Sequence, residues 1–487
     1  MNLRTIRPTR EIIFLLLVVF IYSFFIITTQ TDTQLNIIDL AWYVNRAELT
    51  WRGIVTPFFM YTLGYPLLLG GIYTVTQNMV FALMFLNIVL TATFLFLLYF
   101  VGRTYFNRSI GWIALVLAMT HVYAVGYFRQ IQTMMLFCCL LLVILLLCEW
   151  LVRSRSLQVA MLLGLVVSIA FLTRFEGITY GIFIIAASLR IYWQTRRWQL
   201  ALGLFFAACL VIVPFFLAYL PQLFSGFLSS GQQDILYFLF QLPTGVKQVS
   251  LGIFRYYTYV LNLWVSVIWI LLAWATLDRW SPYAISAWVF LGLGMFHLHI
   301  VMALIIDSSV APFAYNMPTF MWLLLPISWA LWRLGEVAGT WKLTAIIVIF
   351  IACVHSYHAL RVEPLAVPFA YWDSEPRKSA ARLDEFLRAN GYENTVIWSL
   401  CHPLVLYSEA DLRYLYRFAG YMDRADLAES PVNLLPQMAQ NNELLLYCDE
   451  VNYGDWRDLL LDRATYSYNL QLIYKEDAVS LFKAITP

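Results

Sequence analysis

The sequence predicts a polytopic α-helical membrane protein of about 11 spans (11–13) that ends in a small α/β domain. The 487 residues are 61% hydrophobic and 12% charged, about half the ~25% charged residues of a soluble domain. Apolar windows of about 20 residues, long enough to cross a bilayer, recur as far as residue 360. Beyond that point Asp, Glu and Arg return at ordinary density. A net charge of +2 is too small to suggest a nucleic-acid partner, which leaves the lipid bilayer as the first partner of the chain.

Taken in order, MNLRTIRPTR and the apolar run 11–29 have the basic flank of a signal sequence. The run is 19 residues long and no A-x-A-type site follows, so it reads as a retained anchor. Further spans are expected at 81–101, 110–127, 133–152, 157–173, 177–192, 198–219, 256–277, 283–305, 317–333 and 343–360. YPLLLGGIYTVT (65–76) has only 12 residues, with Pro66, Gly70 and Gly71, and suits an interfacial or re-entrant helix. The expected domains are therefore a transmembrane domain, 1–360, with outer loops 30–80 and 220–255, and an extracytoplasmic α/β domain, 361–487.

Orientation follows from the positive-inside bias. With the N-terminus cytoplasmic, the inner side carries Arg4, Arg7, Arg10, Arg103, Arg108, Arg153, Arg155, Arg190, Arg196, Arg197, Arg279, Arg333 and Lys342. The outer side up to residue 360 carries only Arg46, Arg52, Arg129, Arg174, Lys247 and Arg255. Counting 65–76 as a crossing would reverse the bias in the later loops. Eleven spans put the loop 30–80 and the last domain outside a plasma (inner) membrane.

In the tail, RKSAARLDEFLRANG has apolar positions at helical spacing and a stop at Gly391. TVIWSL, ELLLYCD and NLQLIYK read as strands, with helices at about 403–416 and 454–462. Cys401 and Cys448 each close a strand and can pair if the domain is outside. The other cysteines lie in spans, where a thiol is usually a small hydrophobe.

The candidate chemistry starts at NIIDLAWYVNRAEL (36–49), directly after the first span. Asp39 and Tyr43 are i, i+4 and share a helix face, with Arg46 close by. Leu40, Trp42, Val44, Ala47 and Leu49 give the segment apolar surface for lying along a membrane. It leads through Gly53 and Pro57 to Tyr65-Pro66 and the interfacial helix. Arg129 stands in the outer turn YFRQIQT. Arg174 and Glu176 sit at the outer end of the fifth span, where they can bind a substrate or pair with each other. His297 and His299 are i, i+2 and point about 200° apart on a helix, so they do not share a metal easily; Asp307 follows at the outer end of that span.

The acidic residue after the first span, the small residue and Arg nearby, and the Tyr-Pro-Leu-Leu-Leu run resemble the GT-C superfamily of membrane glycosyltransferases. That superfamily includes the protein O-mannosyltransferases, the lipid A aminoarabinose transferase and the oligosaccharyltransferase catalytic subunits. VGRTYFNRSIGWIALVLA (101–118) and FLTRFEG (171–177) extend the resemblance over roughly residues 11–190. It implies a GT-C-like fold and a hexosyl- or pentosyltransferase. The donor would be a polyprenyl-phosphate-linked sugar and the acceptor a lipid, glycan or protein on the outer face. Asp39 would be the catalytic base, with Tyr43, Arg46, Tyr65, Arg129, Arg174 and Glu176 binding substrate. In some relatives acidic residues in the Arg129 turn bind a divalent metal; here Gln130 and Gln132 stand there, and no metal ligand or cofactor is assigned. The late Arg-Tyr pattern of the family is absent at Tyr315-Asn316, where Lys247 or Arg255 would have to substitute.

Three other classes fit less well. An O-antigen-ligase or polymerase-like enzyme centres on a late outer loop rich in Arg and His, which 220–255 is not. A lipid or solute transporter predicts internal repeats and midplane charges, and neither is visible. A relative that binds glycolipid without transferring it is compatible with the altered motifs.

Overall fold

The computed structural model of the chain describes residues 10–29, 64–129, 133–174, 192–193, 196–209, 282–304, 317–362, 375–399, 401, 404, 408–410, 412–414, 438–448, 469–476 and 479–485. Its helices are α1 (Arg10–Thr28), α2 (Gly64–Thr76), α3 (Met79–Tyr105), α4 (Arg108–Thr120), α5 (Val122–Arg129), α6 (Thr133–Ser154) and α7 (Leu157–Thr173). They continue with α8 (Trp198–Cys209), α9 (Pro282–Leu304), α10 (Met317–Val337), α11 (Trp341–Val362) and α12 (Glu375–Ala389). Two compact units result: Met1–Thr28, Pro57–Tyr65 and Phe85–Leu365 form one, and Thr29–Thr56, Pro66–Met84 and Ala366–Pro487 the other.

The helices fall where hydropathy predicts them. Among the described residues, α1, α3, α6 and α11 are each long and apolar enough to cross a membrane, and the α4–α5 pair is a fifth if taken as one bent span. The short 65–76 segment is the 13-residue helix α2. The spans expected at 177–192 and 256–277, and the second half of 198–219, lie outside the described residues.

Lipid-facing and bundle-facing sides separate by helical period. On α1, Leu15, Val19, Ser23, Ile26 and Ile27 are buried while Phe14, Leu17, Phe20 and Phe24 are exposed. Bare aromatic surface of that kind is tolerated where hydrocarbon covers it. The centre is α10, buried along nearly its whole length from Met317 to Trp332 and packed on α4, α6, α9 and α11. α11 is peripheral, with Ile346, Ile349 and Phe350 exposed.

Small residues set the closest approaches, as lipid-embedded packing favours. α3 and α4 meet at a glycine pair: a Cβ on Gly102 would lie 2.8 Å from Gly111 Cα, and one on Gly111 2.7 Å from the Tyr99 carbonyl. Asn107 caps α4, its side chain accepting the Ile110 N–H at 3.0 Å. Gly164 of α7 presses on α8, where Ser168 Oγ donates to the Ala208 carbonyl at 3.0 Å. At the other end of α1, Glu11 accepts hydrogen bonds from Tyr99 and from Arg108 Nε, with Arg103 4.0 Å away.

One expected span is broken. The 110–127 run is two helices, α4 and α5, bent by 68° at His121. His121 is extended (φ −71°, ψ 128°), and its carbonyl accepts the first α5 bond from Val125 N–H. Its Nδ1 accepts the Tyr123 N–H at 3.2 Å. The imidazole is therefore the N-cap of α5, doing the work usually given to Ser or Asn.

The second unit holds α12 and a five-stranded sheet of order β2-β1-β3-β5-β4. Its strands are β1 (Ile397–Ser399), β2 (Leu412–Tyr414), β3 (Leu444–Cys448), β4 (Asn469–Glu476) and β5 (Val479–Ile485). β1 is parallel to β2 and β3; β5 is antiparallel to β3 and β4. α12 ends as expected: Gly391 takes φ +73° and Tyr392 N–H reaches back to the Leu387 carbonyl at 2.8 Å, a Schellman closure. Residues 412–414 are a strand, correcting the helix expected over 403–416. Pairing with the edge of β1 overrides local preference there, because strand formation depends on neighbours. The helix expected at 454–462 lies outside the described residues. Cys401 and Cys448 are disulfide-bonded, with Cα atoms 5.1 Å apart, and tie the ends of parallel neighbours β1 and β3 together.

Candidate active site

Of the residues singled out by sequence, Asp39, Tyr43, Arg46 and Glu176 lie outside the described residues, as do Gln130, Gln132, Lys247, Arg255, Asp307, Tyr315 and Asn316. Tyr65, Arg129 and Arg174 are described, and helix ends in one part of the bundle bring them together.

Tyr65 opens α2 and is 1% exposed. The residue before it must be glycine: a Cβ on Gly64 would lie 2.6 Å from Thr173 Oγ1 and 3.1 Å from the Leu172 carbonyl. α2 thus begins against the last turn of α7. Arg174 is the next residue after that turn; its N–H closes α7 on the Ala170 carbonyl, and its Nη1 donates to Thr133 Oγ1 at 3.2 Å. Thr133 is the buried first residue of α6. Arg129, the last residue of α5, is 1% exposed and stands only four positions before Thr133.

Arg129 sits behind a well-held neighbour. Phe128 packs its ring on Phe94 (centroids 5.9 Å) and edge-on to Tyr22 (6.3 Å). Its carbonyl accepts a 2.6 Å hydrogen bond from Asn87 Nδ2 of α3. Arg129 also lies near enough to the Tyr22 hydroxyl to act on it electrostatically. A guanidinium at the C-terminus of α5 and a second one bonded to the first residue of α6 set two fixed cations near a helix N-terminus. The combination favours an anion, and low dielectric strengthens it.

Residues 61–220 match the family described as dolichyl-phosphate-mannose-protein mannosyltransferase. ArnT from Cupriavidus metallidurans in the apo state is similar over 97% of this chain and 98% of its own, with a TM-score of 0.59 and 12% identity. The same protein bound to undecaprenyl phosphate aligns with a TM-score of 0.53 and 13% identity, over 98% of each chain. The Archaeoglobus fulgidus oligosaccharyltransferase in the apo form covers 98% of this chain and 74% of its own, at a TM-score of 0.54 and 11% identity. The chain has a GT-C fold. No curated protein sequence matches it.

Within this GT-C bundle the matched segment 61–220 contains Tyr65, Arg129 and Arg174, and α2 to α8 with them. The residues that hold the two cations were not singled out in the sequence. Asn87 is a lone amide in the apolar run MVFALMFLNIVL, and Thr133 looks like an ordinary helix start. His121 and His355 are a further pair: their rings pack edge-to-face with centroids 4.6 Å apart, and Phe320 lies 4.8 Å from His121. His355 Nδ1 is buried without a hydrogen-bond partner among the described residues. A single His inside each apolar run was the available signal. His297 is buried on α9. Among the described residues no group of three His, Cys, Asp or Glu could hold a metal ion.

Proposed function

We propose that the chain is an integral-membrane glycosyltransferase that moves a hexosyl or pentosyl group from a polyprenyl-phosphate donor to a lipid, glycan or protein acceptor on the outer face of the membrane. The observation that carries this reading is the pair of cations, Arg129 and Arg174, held at adjoining helix ends beside Tyr65. A relative of the same fold has been captured with undecaprenyl phosphate. Arg129 and Arg174 bind the donor phosphate and stabilise it as it leaves, since charge-assisted bonds from guanidinium to phosphate strengthen as the oxygen gains charge.

In the transfer, the acceptor hydroxyl oxygen bonds to the anomeric carbon and the bond from that carbon to the phosphate oxygen breaks. Polyprenyl phosphate leaves with the electron pair. Asp39 takes the hydroxyl proton, because a neutral hydroxyl is a poor nucleophile and a positioned carboxylate removes its proton as the bond forms. Tyr43, Arg46 and Glu176 complete the substrate contacts. Gln130 and Gln132 offer neutral amides where carboxylates would be needed to hold a divalent ion, so no step passes through a metal.

The outer-face assignment is supported by the positive-inside bias and by the Cys401–Cys448 disulfide, since such bonds persist in oxidising compartments. The test is transfer in proteoliposomes supplied with a panel of undecaprenyl-phosphate sugars and an envelope-lipid acceptor extract. Asp39→Asn keeps the shape and removes the base, so its rate falls by about 10²-fold or more. Transfer at the wild-type rate would remove Asp39 from the mechanism.

A further inference from the structure

We infer that Asn87 is a positioning residue for Arg129: its amide fixes the end of α5 and so sets where the guanidinium meets the donor phosphate. The inference rests on the donor-phosphate role proposed for Arg129. Asn87 lies on α3, in the middle of a strongly apolar run, and is 2% exposed. A buried amide in such a setting is unfavourable unless it is bonded. Its Nδ2 donates at 2.6 Å to the Phe128 carbonyl, 41 residues away in sequence.

That carbonyl is one of the last four of α5, which ends at Arg129 and leaves Phe128 no N–H four residues on within the helix. Asn87 thus caps the C-terminus of α5 from a neighbouring helix. α5 has only eight residues and is hinged at its other end by the 68° bend at His121. A helix that short has little rigidity of its own, since its hydrogen bonds scarcely exceed its unsatisfied ends. The ring contacts of Phe128 with Phe94 and Tyr22 fix the side chain, and the Asn87 bond fixes the backbone one residue before the guanidinium.

A bond that only staples two helices would add stability wherever it stood. Ser168 Oγ to the Ala208 carbonyl, between α7 and α8, is a bond of that kind and serves as the control. The measurement is the Kd of the detergent-purified full chain for undecaprenyl phosphate, by quenching of intrinsic Trp fluorescence, alongside Tm. Wild type, Asn87→Ala, Arg129→Ala, the double variant and Ser168→Ala are compared. Loss of Arg129 weakens binding about tenfold or more, as removal of a charged hydrogen-bond donor does. Asn87→Ala weakens it about threefold to tenfold in the wild-type background and by less than about twofold in Arg129→Ala, because neighbours acting through one group are non-additive. Ser168→Ala lowers Tm and leaves Kd unchanged. Asn87→Ser, which keeps a donor but loses reach, replaces the alanine if that variant does not fold.

Equal weakening by Asn87→Ala in both backgrounds, or a lowered Tm with unchanged Kd, overturns the positioning role while leaving the proposed function standing. An unchanged Kd in Arg129→Ala overturns the donor-phosphate reading itself.

Discussion

His121 shows how much one side chain decides. Its Nδ1 can accept the Tyr123 N–H only while that nitrogen carries no proton, so the cap requires the neutral imidazole. Replacement by Ala should lower stability by about 1 kcal/mol, the usual value of an N-cap, whereas Asn, which caps equally well, should retain most of it. Thermal unfolding of the three proteins in detergent checks the order. In the tail, Asp384 accepts hydrogen bonds from Ser408 Oγ and the Glu409 N–H. Burial nevertheless raises its pKa above the ordinary carboxylate value, the two bonds offsetting only part of the shift. The folded chain therefore holds the Asp384 proton more tightly than the unfolded one. The stability this contributes is complete below the unfolded value of about 3.9 and is lost as pH rises through the folded value. Asp384→Asn should flatten the fall in Tm between about pH 4 and pH 7; curves parallel to wild type would exclude Asp384 as its source.

Among the elements, the spans were legible because a bilayer demands one property, apolarity over about 20 residues, that composition displays directly. The bend inside 110–127 was not legible. Hydropathy averages across His121, and what breaks the helix is a hydrogen bond that a profile does not contain. Strand β2 was misread for a related reason: LRY has no strong pattern of its own and becomes a strand by pairing with β1. β5 was passed over although it pairs with both β3 and β4, again a property of neighbours. The glycines carry the close approaches. Gly111→Ala places a methyl 2.7 Å from the Tyr99 carbonyl, a backbone atom that cannot swing aside. A loss of roughly 1–3 kcal/mol is expected, the usual range for overpacking, read as a drop in Tm with α3 and α4 forced apart. No drop would mean that the two helices do not meet at the glycine pair.

For the whole molecule, a GT-C fold with a disulfide-tied α/β unit gives the proposed site a common logic. The apolar bundle supplies depth and low dielectric, and its helix ends aim Arg129 and Arg174 at one region. Of the seven residues singled out by sequence, Arg129, Arg174 and Tyr65 were found from their places at span ends; their supports, Asn87, Thr133 and Gly64, escaped notice because they act through contacts that sequence order does not reveal. The disulfide is also a compartment marker. Protein taken directly from membranes should show Cys401 and Cys448 oxidised, with Tm lowered when they are reduced, in keeping with the 2–5 kcal/mol typical of small extracytoplasmic domains. Free thiols at both positions would place the unit on the reducing side.

The most direct test of the central claim compares undecaprenyl phosphate binding to purified wild type, Asp39→Asn and the Arg129→Ala Arg174→Ala double variant. The account predicts equal saturable binding for wild type and Asp39→Asn, and a loss of about 10²-fold or more in the double variant. Wild-type affinity in the double variant would contradict it.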